Sequence, residues 1–350
     1  MSRPYAFLRF AVPAAILAAL AVILLVNSGV ALGVTLNRGD ILVADPDALG
    51  GGGAIIRVDP HTGLQTIISS GGNFVDPYAI ALEQNGTILV GELNAGDPAG
   101  SSGTPSSIIR VDPFTGSQTV LSSGGYLHSV FGIAVAPNGE IFVTSAGYRQ
   151  VVRIDPVTGA QSVVSSGGLF VSLRGIVMDA SGQLYVADAD QTGPGRVIRV
   201  DPSMGSQTTV SSGGNFYDPT GIVLDDNGNI IVADNGNFDA GIGAAVIRVD
   251  PVTGAQTVVS SGGDFISPGG IAFDASGKIV LVDSNAFIGG SPFYDGAVFR
   301  VDPVTGTQTV ISSVGIFVNP SGVAVILPEP TSFALFMMGV AILLSWRTVS

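Results

Sequence analysis

The stretch Val246 to Asp283, VIRVDPVTGAQTVVSSGGDFISPGGIAFDASGKIVLVD, recurs in close copies from near one end of the chain to the other. The copies are indexed by their Asp-Pro pairs, which begin at Asp59, Asp112, Asp155, Asp201, Asp250 and Asp302 and stand 43 to 53 residues apart. A period of this length belongs to propellers and solenoids. It overrides the two-domain prior that 350 residues would otherwise carry.

Each copy predicts four short strands. Val246 to Asp250 and Gln256 to Ser260 alternate and are β-branched, and Gly270 to Asp274 and Lys278 to Asp283 form two further runs. The Asp-Pro-Val-Thr-Gly turn joins the first two runs: Pro251 pre-sets φ, Asp250 accepts local N–H groups and Gly254 tolerates φ > 0. The second turn, Asp274 to Gly277, reappears as EQNG, APNG, DASG and DDNG, with Gly last each time. Four antiparallel strands repeated radially are a propeller blade.

The two ends of the repeat region complete each other. The last copy stops at Ser321 to Ile326 without its GxIxVAD strand, and that strand stands at the other end as Gly39 to Asp45. Sharing one blade between the termini pairs both open sheet edges. The reading is therefore an all-β, six-bladed β-propeller of four-stranded blades over residues 39–326, closed by a shared N- and C-terminal blade and flanked by two hydrophobic terminal helices.

Residues 1–33 predict a signal peptide: Arg3 and Arg9 precede the apolar run Ala11 to Val26, and small residues at 29–33 follow it. A retained anchor is the other reading of this segment. The chain has no Cys, which excludes a disulfide framework and thiolate chemistry. Its formal net charge is −13, and the propeller alone is more acidic, since the terminal segments hold Arg3, Arg9 and Arg347 against a single Glu329. That balance argues against a nucleic-acid partner and favours cations or neutral sugars.

The two turns keep their lengths from copy to copy, whereas the linkers after the second strands vary, the longest being Leu93 to Ser107 and Ser284 to Ala297. Scaffolds vary where they bind, so the rim carrying these linkers is the expected functional face. The strands feeding it end in Asp45, Glu92, Ser145, Asp188, Asp234 and Asp283. If the five carboxylates converge on the channel they form an oxygen-rich site for a hard cation such as Ca²⁺, with Asn235, Asn237 and Asn285 adding amide oxygens. The alternative is that each caps its strand by accepting loop N–H groups. The repeated Arg and Asp of the third strand, such as Arg248 and Asp250, lie on one strand face and predict a structural ion-pair and turn device. Phe74, Phe170, Phe216, Phe265 and Phe317 are expected to fill the gaps between blades.

Catalytic equipment is thin. The chain has only two His, His61 in an Asp-Pro turn and His128 in an interblade linker, and no Ser-His-Asp arrangement, P-loop or HExxH.

PTGIVLDDNGNIIVAD (Pro219 to Asp234) and PGGIAFDASGKIVLVD (Pro268 to Asp283) resemble NHL repeats and the regucalcin/gluconolactonase-like propellers. The lactonase resemblance implies a divalent metal held by acidic and Asn side chains, with Asp188, Asp234 or Asp283 at such positions. The C-terminal segment 328–350 resembles a PEP-CTERM sorting signal: Pro328-Glu329-Pro330, the apolar Phe333 to Leu344, then Trp346-Arg347. That resemblance implies export across the inner membrane of a Gram-negative bacterium, transient anchoring, processing by an exosortase-type enzyme and residence in a surface or extracellular polysaccharide matrix. A simple membrane anchor is the other reading of this tail.

Two functions follow as expectations. The first is a non-catalytic, exported propeller, monomeric, presenting its variable rim to polysaccharide. The second is a metal-dependent lactonase or hydrolase in which a metal-activated water attacks the substrate.

Overall fold

The computed structural model describes residues 34–93, 106–190, 193–237, 241–286 and 295–327. The expected signal peptide and its helix, the sorting tail with Pro328, Glu329, Pro330 and Arg347, and the middle of the two longest linkers lie outside the described residues.

Among the described residues twenty-four strands, β1 to β24 in chain order from Ile41–Asp45 to Gly322–Val325, form six four-stranded antiparallel sheets. Five blades are consecutive quartets running from an inner to an outer strand, beginning at Pro77, Val130, Leu173, Pro219 and Pro268; they are blades 1 to 5. Blade 6 is the shared one, with order β24-β1-β2-β3, where β2 is Ala54–Val58 and β3 is Gln65–Ser70. In it β24 (Gly322–Val325) pairs with β1 (Ile41–Asp45), Ile41 opposite Val325 and Ala44 opposite Gly322. The ladder is extended by Gly39 N–H to Ile326 O at 2.8 Å and by Ile326 N–H to Asp40 O at 2.9 Å. The expected closure is thus the observed one. Among the described residues the only helical turn is Ala48–Gly51, and no helix is long and apolar enough to cross a membrane.

Strand composition follows position in the blade. The second strands, such as Ile230–Asp234, are buried at every residue as far as the rim, because a blade's middle strands face a neighbouring blade on both sides. Outer strands such as Gln256–Ser261 are largely exposed and alternate. The apolar clusters straddle adjacent blades: one joins Leu42, Ala44 and Ile55 of blade 6 to Ile80, Ile88 and Ile109 of blade 1, with Phe74 at the seam. Phe74, Phe170, Phe216, Phe265 and Phe317 are buried as expected, with Leu127 in the sixth place. Each such side chain withdrawn from water contributes about 1.5–3 kcal/mol.

Two polar devices tie the blades together. The first is a glutamine lock. Gln118 of blade 1 donates from Nε2 to Ser69 Oγ (2.9 Å) and Gly71 O (2.9 Å) of blade 6, while its Oε1 accepts Asn73 N–H at 2.6 Å. Ser69 Oγ in turn donates to Gly116 O at 2.7 Å. Gln161, Gln207, Gln256, Gln308 and Gln65 repeat the arrangement at the other five seams. The second device corrects an expectation. The third-strand arginines do not chiefly pair with the Asp two residues on; Arg57 and Asp59 are 3.9 Å apart. Instead Arg110 meets Glu83 at 2.5 Å, Arg300 meets Asp274 at 2.9 Å and Arg57 meets Asp40 at 2.5 Å, all acids placed at or before the second strand. The guanidinium also reaches the next blade, as in Arg110 to Pro156 O at 2.6 Å. The Asp of each Asp-Pro turn is occupied locally: Asp250 Oδ1 accepts the Val252 and Thr253 N–H groups, both at 2.8 Å.

Candidate functional site

The six second-strand ends all reach the rim that carries the variable linkers, and there each serves its own blade. Asp188 accepts Val171 and Ser172 N–H at 2.9 and 2.7 Å, one on each oxygen. Asp283 accepts Ile266, Ser267 and Asn285 N–H. Asp234 accepts Tyr217, Asp218 and Gly236 N–H. Asp45 holds Val318, Asn319 and Asp47 N–H, and Ser145 Oγ holds His128 N–H. In every case the donors lie in the linker that leads into the blade's inner strand, or in the turn after the acid. This is the capping arrangement.

Glu92 differs. Its longer side chain turns one oxygen, Oε2, to both Val75 and Asp76 N–H, and leaves Oε1 buried without a hydrogen-bond partner. Burial pushes its carboxyl up to about 7, against the pull of those two N–H groups, and nearby Asp76 adds to the rise. Burial likewise raises the carboxyls of Asp45, Asp188, Asp234 and Asp283.

These acids do not form one oxygen cage. Asn235 donates to Asp218, Asn237 to the Tyr217 hydroxyl and Asn285 to Ser267 Oγ, each within its own linker region. Among the described residues no group of three or more His, Cys, Asp or Glu is placed to hold a metal ion. His61 is exposed in its turn, and the His128 ring contacts Ser129 Oγ at 3.1 Å and the Tyr148 ring at 5.0 Å.

The side chains that do converge sit inside the ring of caps. Every inner strand opens with the same four-position pattern. Its first residue is Pro, Val or Leu, its third is Gly or Ala, and its fourth is Ile or Val, while the second changes in each blade: Tyr78, Phe131, Arg174, Thr220, Gly269 and Ser321. These six line the mouth of the central channel around a cavity of about 100 Å³. In blades 1 to 5 the second residue falls in an irregularity of the ladder. In blade 3, for example, Leu173 pairs with Asp188 and the next register pair is Ile176 with Val186. Such a bulge frees a side chain from the alternation of the sheet and re-aims it.

Beside this variable ring adjacent inner strands press against one another. A Cβ on Gly221 would stand 2.4 Å from Gly269 O, and one on Gly322 would stand 2.3 Å from Tyr78 O, so neighbouring inner strands approach as closely as glycine allows. Blade 1 makes the exchange visible: its inner strand carries Ala79, and the residue opposite on the second strand is Gly91, whose added Cβ would come within 3.1 Å of the Ala79 methyl.

The mouth is two-sided. The Tyr78 and Phe131 rings meet edge to face, with centroids 5.0 Å apart at 86°, and the Arg174 guanidinium lies 4.4 Å from the Phe131 centroid. Burial raises the Tyr78 hydroxyl above its ordinary value; Arg174 pulls it down, and Asp218 and Asp76 push it up. Across from these, Thr220 and Ser321 spend their hydroxyls on backbone carbonyls, Pro268 O and Tyr78 O, and Gly269 presents no side chain. The residues that matter here were not singled out in the sequence, although the signal was present: the second inner-strand position is variable inside an otherwise regular strand.

The fold is that of a six-bladed β-propeller, and one of its blades carries a match to the NHL repeat. Residues 216–238 match the NHL repeat, spanning the inner and second strands of blade 4. The solved structure titled "Crystal structure of Nidogen/Laminin Complex" contains a similar chain, with a TM-score of 0.63 and 16% identity, covering 83% of this chain and 99% of that one. At that identity the likeness is one of fold. No curated protein sequence matches the chain.

Proposed function

We propose that this protein is an exported, non-catalytic binding propeller of a surface or extracellular polysaccharide matrix, engaging its ligand at the channel mouth and the surrounding linkers. The observation that carries the reading is the variable ring. In a molecule whose strands, turns and seams repeat six times, side-chain diversity is concentrated at Tyr78, Phe131, Arg174, Thr220, Gly269 and Ser321, around a cavity. An aromatic pair with an adjacent cation offers a stacking face for a sugar ring and donors for its oxygens. The capping role of the rim acids and the lack of a three-acid cluster among the described residues favour binding over metal-assisted hydrolysis.

The reading takes the apolar segments at 1–33 and 328–350 as export and sorting signals, with Pro328-Glu329-Pro330 the processing site for an exosortase-type enzyme in a Gram-negative envelope. Glycan-array and matrix pull-down assays on the full chain test the binding function. Retention is expected for the parent and loss for Phe131→Ala; equal retention by both proteins would remove the mouth from the reading. Replacing Pro328-Glu329-Pro330 by Ala tests the sorting: accumulation of the unprocessed chain in the membrane fraction is expected, and unchanged release would overturn it.

A further inference from the structure

We infer that the channel mouth is a carboxylate site, and that the glycan it takes is acidic, with the uronate carboxylate of a sugar held by Arg174. The inference rests on the glycan-binding reading above and narrows it.

Arg174 is set apart from the other arginines that face an acid. Arg57, Arg110, Arg153, Arg196, Arg248 and Arg300 each stand within 4 Å of a carboxylate. Arg174 has no such partner among the described residues; its Nε is buried without a hydrogen-bond acceptor, as are those of Arg153, Arg196 and Arg248, but those three have a carboxylate beside them. A buried guanidinium donor left unpaired is destabilising, and an arriving acceptor relieves that cost. The side chain is already oriented by Phe131, 4.4 Å from its guanidinium, so little rotamer freedom remains to be lost on binding. A planar fork of donors facing a cavity suits a carboxylate, which accepts two parallel N–H bonds.

The rest of the mouth defines what accompanies that carboxylate. Tyr78, edge-on to Phe131 and with its ionisation suppressed by burial, offers a neutral hydroxyl and a ring edge. Thr220, Gly269 and Ser321 leave the opposite side open. Asp76 and Asp218 act on the Tyr78 hydroxyl from the rim. Neither lines the cavity, but their charge, close enough to act on Tyr78, disfavours ligands that carry further negative charge. One carboxylate on a neutral, hydroxyl-rich ring satisfies both requirements; phosphate chains and polysulfates do not.

The test titrates glucuronate, glucose and sodium acetate into the full-length protein in detergent, by calorimetry or ligand-observed NMR, with Arg174→Gln and Arg174→Lys alongside. Thermal melting of each variant checks folding, which should survive because, among the described residues, the side chain has no carboxylate partner to orphan and its ring contact is with Phe131. Glucuronate is expected to bind, glucose to bind at least tenfold more weakly, and Arg174→Gln to lose the difference, with Arg174→Lys intermediate and salt-sensitive. Acetate binding as well as glucuronate would overturn the sugar part of the inference. Equal binding of glucose and glucuronate, unaffected by Arg174→Gln, would overturn the carboxylate site and leave the glycan reading standing. No binding of either sugar here, together with a blank glycan array, would overturn both.

Discussion

Gln65 donates from Nε2 to Ser312 Oγ at 3.0 Å across 247 residues of sequence, and its Oε1 accepts the Ile316 N–H at 2.6 Å. A third bond, Nε2 to Val314 O at 2.8 Å, completes the lock. The five equivalent glutamines join blades that follow one another along the chain; this one fastens the N-terminal strands of blade 6 onto blade 5. Ring closure therefore rests on side-chain hydrogen bonds as well as on the β1–β24 ladder.

Removing that lock should be felt more than removing its equivalents. Gln65→Ala is expected to cost about 1–3 kcal/mol in urea unfolding, the range for a few neutral bonds part-shielded from water. Amide exchange should accelerate in the strands from Ile41 to Ser70. Gln161→Ala deletes the same contacts with Ser122 and Gly124, at a seam whose blades are joined by the chain, and should leave exchange in that segment unchanged.

The inner-strand glycines are held by space, not by conformation. Gly322 lies in β24 without positive φ, yet its Cβ would stand 2.3 Å from Tyr78 O, a backbone atom that cannot swing aside. Gly322→Ala should cost about 2–4 kcal/mol through overpacking at the closing blade. Gly86 is the converse, with φ +84 and nothing within 4 Å of its Cβ, and Gly86→Ala should cost about 1 kcal/mol from backbone strain alone. Thermal melts of the two variants separate the causes.

The caps predict a response to chelation and mutation. Asp234 satisfies three loop N–H groups from a position that is 1% exposed. Asp234→Ala leaves them without their acceptor and should destabilise by about 2–4 kcal/mol, while chelator should leave the parent melting temperature unchanged. A melting temperature that falls on chelation would restore Ca²⁺ to the rim.

Glu92 predicts a pH dependence of definite sign. Its carboxyl ionises near 4.5 when unfolded and near about 7 when folded, so the folded state keeps the proton through that window and stability falls as pH rises across it. Asp302 runs the other way. Held down to about 2 by Lys278 and its turn N–H groups, it contributes stability present above its ordinary 3.8 and lost as pH falls toward 2. The melting temperature should peak between the two windows, at about pH 4–5. Glu92→Gln keeps an acceptor for Val75 and Asp76 N–H, removes the buried charge, and should flatten the alkaline limb by up to about 3 kcal/mol at pH 8.

The repeat, its four strands, both turns and the shared blade were legible in the chain because each rests on information local to one copy. Pro251 and Gly254 shape their turn whatever surrounds it, and the missing strand after Val325 matches Ile41–Asp45 by inspection. The caps were legible as one of two alternatives, since an Asp at a strand end suits a loop N–H or a cation, and only the position of donors 16 or 17 residues away decides. The arginines were misassigned for a related reason: strand alternation places Arg248 beside Asp250, but the side chain reaches past it, toward Asp225 across the blade and to Pro303 O of the next.

What the tertiary structure alone decided is which residues of different copies meet. Tyr78, Phe131 and Arg174 are separated by 53 and 43 residues, and nothing in their own blades makes them neighbours. They touch because six inner strands close around one axis, with glycines tight enough to bring adjacent backbones into contact, and because a bulge in each of blades 1 to 3 re-aims these second residues. Local chain chemistry determines a blade; the mouth exists only once six blades share a centre.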